Sequence, residues 1–238
     1  MKYATLVYSG LLGLAVMGDA SGAALQVSPV SVTVAAPGTT SSVTLQNIDE
    51  RPLSAQLRIY RWRQVDGHDV YEETDAVVAS PPLAELSSRQ NYTVRIVRTD
   101  PTPVTQEEAY RLIVDELPAP NSRPSSNITL AMRYSIPVFF SNADCAPPNL
   151  VWSFHKNNGR IVLKLRNDGD QHVRISSLKL RDAKGATVSF GGGLIGYALG
   201  HSEVEFTSPP TKGFSGGSAT VIAESDQGPI DAATVADH

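Results

Sequence analysis

The sequence predicts an all-β protein made of two sandwich domains. Its 238 residues include 18 glycines and 16 prolines, scattered between short runs rich in Val, Ile, Thr and Tyr, and no helical apolar pattern persists for several turns. In residues 128–142, Ile128, Leu130, Met132, Tyr134 and Ile136 fall at every second position, the period of a strand with one apolar face. Strand and turn signals recur at the spacing of a sandwich, and a hydrophobic fraction of 41% supports real cores.

From Leu25 onward the elements follow in order. Residues 25–34 predict a first strand, Pro37-Gly38 a turn, and residues 42–47 a second strand. Residues 55–63 predict a third strand that contains Trp62, and Asp66-Gly67 predicts a turn. Weaker runs lead to Ser80-Pro81-Pro82, and residues 92–98 and 110–116 predict two more strands. Residues 118–126, P-A-P-N-S-R-P-S-S, have the composition of a long exposed loop and open directly into the alternating strand at Ile128.

The second set begins after Pro147-Pro148, with strands predicted over residues 150–155, 159–166, 172–181, 187–190, 203–207 and 218–223. Asn157-Asn158-Gly159, Asp168-Gly169 and Lys184-Gly185 supply the turns between them. The glycine-rich run at 191–196 reads as a flexible loop, and the tail from Gln227 as a fraying end. These signals divide the chain into residues 1–23, 24–142 and 143–238.

Residues 1–23 have the anatomy of an export signal. Lys2 supplies a basic start, residues 11–17 an apolar stretch, and Ser21-Gly22-Ala23 a small-residue cleavage site, which places the mature start near Ala24. The apolar stretch is short for a bilayer span and no later segment approaches that length, so no stable membrane insertion is expected. With Cys145 alone, no intrachain disulfide can form and packing must supply the stability. A net charge of -4, unchanged by loss of Lys2 and Asp19, gives no reason to expect nucleic acid as a partner.

No catalytic constellation emerges. His68, His155, His172, His201 and His238 lack metal-ligand spacing and read as surface or turn residues, so neither a metal nor another cofactor is expected. The chain lacks a nucleophile elbow, and the run at 191–196 is not followed by the helix a phosphate loop requires. Glu107-Glu108 and Asp115-Glu116 are neighbours that a strand would turn to opposite faces. No enzyme is expected. The alternating strand at Ile128 poses the open question: it buries its apolar face either in its own core or in another protein.

Several segments, taken in order, resemble the periplasmic pilus-assembly chaperones of the chaperone/usher pathway. They are L-Q-V-S-P-V-S-V at 25–32, L-R-I-Y-R-W at 57–62, S-P-P at 80–82, T-V-R-I-V at 93–97, E-E-A-Y-R-L-I-V-D-E-L-P at 107–118 and R-Y-S-I-P-V-F-F at 133–140. The Arg-Trp and Tyr-Ser-Ile-Pro-Val segments look most like the archaic, spore-coat-protein-related branch, and N-D-G at 167–169 is the main match in the second half.

That resemblance implies two immunoglobulin-like sandwiches set at an angle and a periplasmic location. It further implies ATP-independent capping of pilin subunits by a loaned strand, then delivery to an outer-membrane usher. Ile128, Leu130 and Met132 would be the loaned side chains, with Tyr134, Ile136, Val138 and Phe140 left to the core. The exposed strand would also offer the free chain a surface for self-association. An exported two-domain adhesive or structural module is the alternative, and it would bury Ile128, Leu130 and Met132 within the chain.

The family's anchor for the subunit's C-terminal carboxylate, an Arg on the first strand and a Lys near the end of the loaned strand, is replaced here by Ser31 and Pro137. Arg111, on the strand running antiparallel to the loaned one, is the expected substitute, followed by Arg95 and Arg133. The resemblance also implies a charge network at the domain junction from Arg95, Glu107 and Asp226 or Glu224, with the family's junction Arg replaced by Ser141. It assigns Pro81 and Pro82 to usher binding and to closing the domain.

Overall fold

A computed structural model describes residues 24–117, 131–215 and 217–235. The expected signal at 1–23, the loop at 118–126, and Ile128 and Leu130 lie outside the described residues. Eighteen strands and no helix occur among the residues it describes.

The first half contributes β1 (Leu25–Ser28), β2 (Val32–Ala35), β3 (Thr40–Asn47), β4 (Leu53–Val65), β5 (His68–Glu73), β6 (Val77–Ser80), β7 (Leu83–Leu86), β8 (Asn91–Arg98), β9 (Glu108–Leu117) and β10 (Arg133–Ser141). One sheet has the order β1-β3-β8-β6. The facing sheet runs β2-β10-β9-β4-β5, with β7 also on β4. Between them lies a core that includes Leu25, Leu45, Leu57, Ile96, Leu112, Ile136, Val138 and Phe140, with Tyr134 packed on its margin.

The first predicted strand is broken in two, because the chain changes sheets at Pro29. Leu25 and Val27 face inward from β1 at odd positions, whereas Val32 and Val34 face inward from β2 at even ones. Both sheets flank one core, so a strand that crosses between them must shift its inward parity. The same shift separates Val77 from Ala84 and Leu86 across Ser80-Pro81-Pro82, where β6 gives way to β7.

The second half contributes β11 (Leu150–Asn157), β12 (Arg160–Asn167), β13 (Val173–Asp182), β14 (Thr187–Ser189), β15 (Leu194–Ala198), β16 (Ser202–Thr207), β17 (Ala219–Ser225) and β18 (Gly228–Ala233). A three-stranded sheet β11-β12-β16 faces a sheet ordered β14-β13-β17-β18, to which β15 is added along β13. Their shared core includes Trp152, Leu163, Ile175, Leu180 and Val221.

Two expectations for this half are corrected. The glycine-rich run is not simply a loop: β15 begins at Leu194, and Gly196 leaves room for the Phe206 ring, whose nearest atom would stand 3.1 Å from an added Cβ. The tail does not fray at Gln227, because β18 pairs with β17 from Gly228 to Ala233 and places Ile230 and Ala232 against the core. Alternation over so short a polar run gives a weak strand signal, and the partner strand supplies the missing stabilisation.

Asn47 and Asn167 play matching roles at the ends of β3 and β12. Each is fully buried: Asn47 Nδ2 donates to the carbonyls of Arg51 and Ser87, and Asn167 Nδ2 to those of Gln171 and Leu199. Gly169, in the predicted Asn-Asp-Gly turn, is required by space, since a Cβ there would come within 2.0 Å of the Pro147 carbonyl oxygen.

Candidate functional site

The edge of β10 is the first part of the site. β9 covers one side of it from Phe140 down to Arg133, and the Glu116 amide extends the ladder by donating to the Met132 carbonyl at 2.9 Å. On the other side β2 pairs in parallel only from Val138 to Ser141. Hydrogen-bonding direction alternates along an antiparallel pair, so the amides and carbonyls of Arg133 and Ser135 point away from β9. No strand receives them among the described residues. Pro137 has the same outward parity, so its missing N–H removes nothing from the β9 ladder.

The inward face of the same strand runs continuously toward the expected loaned segment. Phe140, Val138 and Ile136 are buried in the first core, and Tyr134 is half-buried, its hydroxyl donating to the Leu25 carbonyl. Met132, two residues further out, is half-buried. Leu130 and Ile128, which share its sequence parity, lie outside the described residues.

The second part is the outward face of the sheet, where Arg111 lies directly opposite Pro137. Its guanidinium stacks over the Trp62 ring at 3.7 Å and stands 5.1 Å from the Tyr197 ring of the second sandwich. Arg111 is 9% exposed, and its Nε has no hydrogen-bond partner among the described residues. Burial lowers its pKa from the ordinary arginine value, while the nearby Tyr71, Tyr197 and Asp69 act in the opposite sense. Asp69 does not form a direct ion pair with it; that carboxylate accepts from Gln64 Nε2 at 2.9 Å and from the Tyr71 hydroxyl at 3.1 Å. A buried cation with an open donor is a receptor for an anion.

The other two candidate anchors differ. Arg133 pairs with Asp115, which also binds Arg58 at 2.5 Å, so its charge already has a partner. Arg95 is exposed on β8, in the opposite sheet. Its outward parity also keeps it from the expected junction network with Glu107, and this is a correction: the side chain beside Glu107 is a histidine from the second sandwich.

His172 lies where the two sandwiches meet. Glu107 Oε1 accepts from the His172 amide at 2.8 Å and lies 2.6 Å from its Nδ1, and Asp226 Oδ2 lies 3.6 Å from Nε2. The imidazole stacks on Phe139 with ring centres 3.5 Å apart, so His172 is not the surface or turn residue its sequence context suggested. Arg98 instead takes Glu108, with Nε and Nη2 at 2.9 and 2.7 Å from its two oxygens. Burial raises the Glu108 pKa, but bonds from Arg98 and Tyr110 overcome this and hold it low.

A small apolar cluster closes the junction: Trp62, Ala109 and Phe139 from the first half meet Tyr197 and Leu199 from the second. Gln64 bolts it from β4. Its Nε2 donates to the Tyr197 carbonyl at 2.9 Å, and its Oε1 accepts from the Leu199 amide at 2.9 Å and the Ser202 hydroxyl at 2.8 Å. Sequence reasoning missed His172, Gln64 and Tyr197, because nothing in their local pattern marks them. Trp62 carried the one available signal: it breaks the inward parity of Ala55, Leu57 and Ile59 along β4.

Pro81 and Pro82 form the crossing between β6 and β7, half-buried and exposed respectively, and the Pro82 carbonyl accepts from the Leu57 amide at 2.8 Å. Val78 and Leu83 are exposed beside them.

Comparison with known proteins adds an independent line. Residues 24–145 match the model of a family described as pili and flagellar-assembly chaperone, PapD N-terminal domain. The chain is similar to a solved structure of the CsuC–CsuE chaperone–tip adhesion subunit pre-assembly complex from archaic chaperone-usher Csu pili of Acinetobacter baumannii. The TM-score is 0.71 and the identity 26%, over 91% of this chain and 100% of that one. A structure of Salmonella enterica SafA pilin with the SafB chaperone shares the fold at 18% identity and a TM-score of 0.61, over 90% and 96% of the two chains. The Pseudomonas aeruginosa CupB2 chaperone does so at 19% and 0.59, over 89% and 100%. No curated protein sequence matches significantly.

Proposed function

The chain belongs to the family of pili- and flagellar-assembly chaperones, and from that premise we propose that it caps pilin subunits in the periplasm by lending them a strand, without ATP, and delivers them to an outer-membrane usher. The observation that carries this reading is the open edge of β10. It offers backbone groups at Arg133 and Ser135 that no strand receives among the described residues, and its sequence leads into the alternating Met132, Leu130 and Ile128. A subunit lacking its final strand exposes an apolar groove and an unpaired edge, and this segment satisfies both. Three buried side chains at about 1.5–3 kcal/mol each contribute on the order of 5–9 kcal/mol before entropy losses. That range suits a complex that must hold and later be exchanged.

Arg111 anchors the subunit's C-terminal carboxylate in this reading, which accounts for a buried guanidinium with an unused donor. Pro81 and Pro82 belong to the usher-facing side, and no step involves catalysis. In the free chain the same β10 edge is open to a second copy.

The test is periplasmic co-expression with small secreted candidate subunits, followed by co-purification. Leu130→Glu/Met132→Glu should lower client recovery at least tenfold while leaving the melting temperature unchanged. Equal recovery would sink the loaned strand and favour an exported structural module. In the same assay Arg111→Ala should weaken capture of intact subunits far more than capture of subunits truncated at the C terminus.

A further inference from the structure

We infer that the carboxylate site is shared between the two sandwiches: Tyr197 of the second supplies a hydroxyl donor to the same carboxylate that Arg111 of the first receives. This rests on the anchor reading of Arg111 and extends it to the other half of the molecule.

The geometry supports it in three ways. First, the Arg111 guanidinium stands 5.1 Å from the centre of the Tyr197 ring, so a carboxylate bound on that side of the guanidinium lies beside the ring that carries the hydroxyl. Second, the ring is held. It meets Trp62 edge-on at 5.5 Å, and Gln64 fixes the Tyr197 carbonyl and the Leu199 amide on either side of Ala198. Third, the groups around it fit an anion. Arg174 pairs with Tyr197 across β13 and β15, Arg111 is nine-tenths buried with Nε unpartnered, and the buried Trp62 Nε1 is a further unpartnered donor.

Two acidic groups stand near: Asp69, whose oxygens accept from Gln64 and Tyr71, and Asp226, whose Oδ1 accepts from the Arg174 amide at 3.1 Å. Burial, helped by Asp226, raises the Tyr197 pKa against the opposing pull of Arg111 and Arg174, so the phenol keeps its proton at neutral pH. Capture of a carboxylate would then draw on both halves at once, tying client binding to their relative placement.

The probe is N-acetylalanine, compared with N-acetylalanine amide, titrated into the full mature chain and followed by amide NMR. The two indole signals separate the sites, since Trp62 lies under Arg111 and Trp152 in the second core. In the wild type the carboxylate, and not the amide, should move the Trp62 signal and leave Trp152 in place. Tyr197→Phe keeps the ring and should raise the dissociation constant roughly tenfold, the scale of one hydrogen bond to a charged group. In wild-type protein labelled at tyrosine Cζ, the Tyr197 resonance should move with the carboxylate alone, a readout that needs no variant.

Unchanged affinity in Tyr197→Phe and a static Cζ signal, with carboxylate preference lost in Arg111→Gln, would overturn the shared site and leave the Arg111 anchor standing. Equal wild-type response to carboxylate and amide would overturn both.

Discussion

At the scale of single residues, polar side chains that accept several hydrogen bonds mark the points where the fold is most sensitive. Asp182 ends β13 and accepts from the Ser215 hydroxyl and amide and from the amides of Ala186 and Lys184. These bonds, led by Ser215, hold its carboxyl at about 2, against an ordinary value of 3.8. A depressed folded-state value stabilises the fold above the unfolded pKa, and the contribution is lost as pH falls from 3.8 through about 2. Asp182→Asn should therefore lower the melting temperature at neutral pH and flatten its fall across that acid window. An unchanged profile would show that the four bonds are not linked to stability. Tyr110 is the opposite case: burial, helped by Glu108 and opposed by Arg61, pushes its phenol up to about 12.

At the scale of elements, parity explains both what β10 does and what sequence periodicity misread. Ile136, Val138 and Phe140 were legible as core because their period matches a strand facing one side. The break of the first predicted strand at Pro29 was also written there, as the shift from odd to even inward positions, although a continuous β-rich run masked it. β18 was not legible: its residues alternate weakly, and its stability comes from β17, which pairs with it from Gly228 to Ala233. Ending the chain at Gln227 should thus cost the second half roughly 3 kcal/mol, from the lost burial of Ile230 and Ala232 and the exposed β17 edge. Urea unfolding measures this, and an unshifted midpoint would restore the fraying tail.

At the scale of the whole molecule, two immunoglobulin-like sandwiches with separate cores meet through a small cluster, one histidine and the hydrogen bonds of Gln64. Phe139 is central, touching Trp62 and Tyr197 and stacking on His172. Phe139→Ala should remove roughly 3 kcal/mol of coupling and leave both cores whole. Scattering should then report a larger radius of gyration, and calorimetry two transitions in place of one; a single unshifted transition would refute this role. The all-β class, most strands, the break between two sets of them and the apolar face from Tyr134 to Phe140 could all be read along the chain, since periodicity and turn chemistry are local. The pairing of Glu107 with His172 spans 65 residues and the Gln64 bolt spans 133 and more. No local period encodes contacts between faces so far apart in the chain. Whether an arginine such as Arg111 has a carboxylate beside it depends on what the second sandwich places over it, and that is a property of packing.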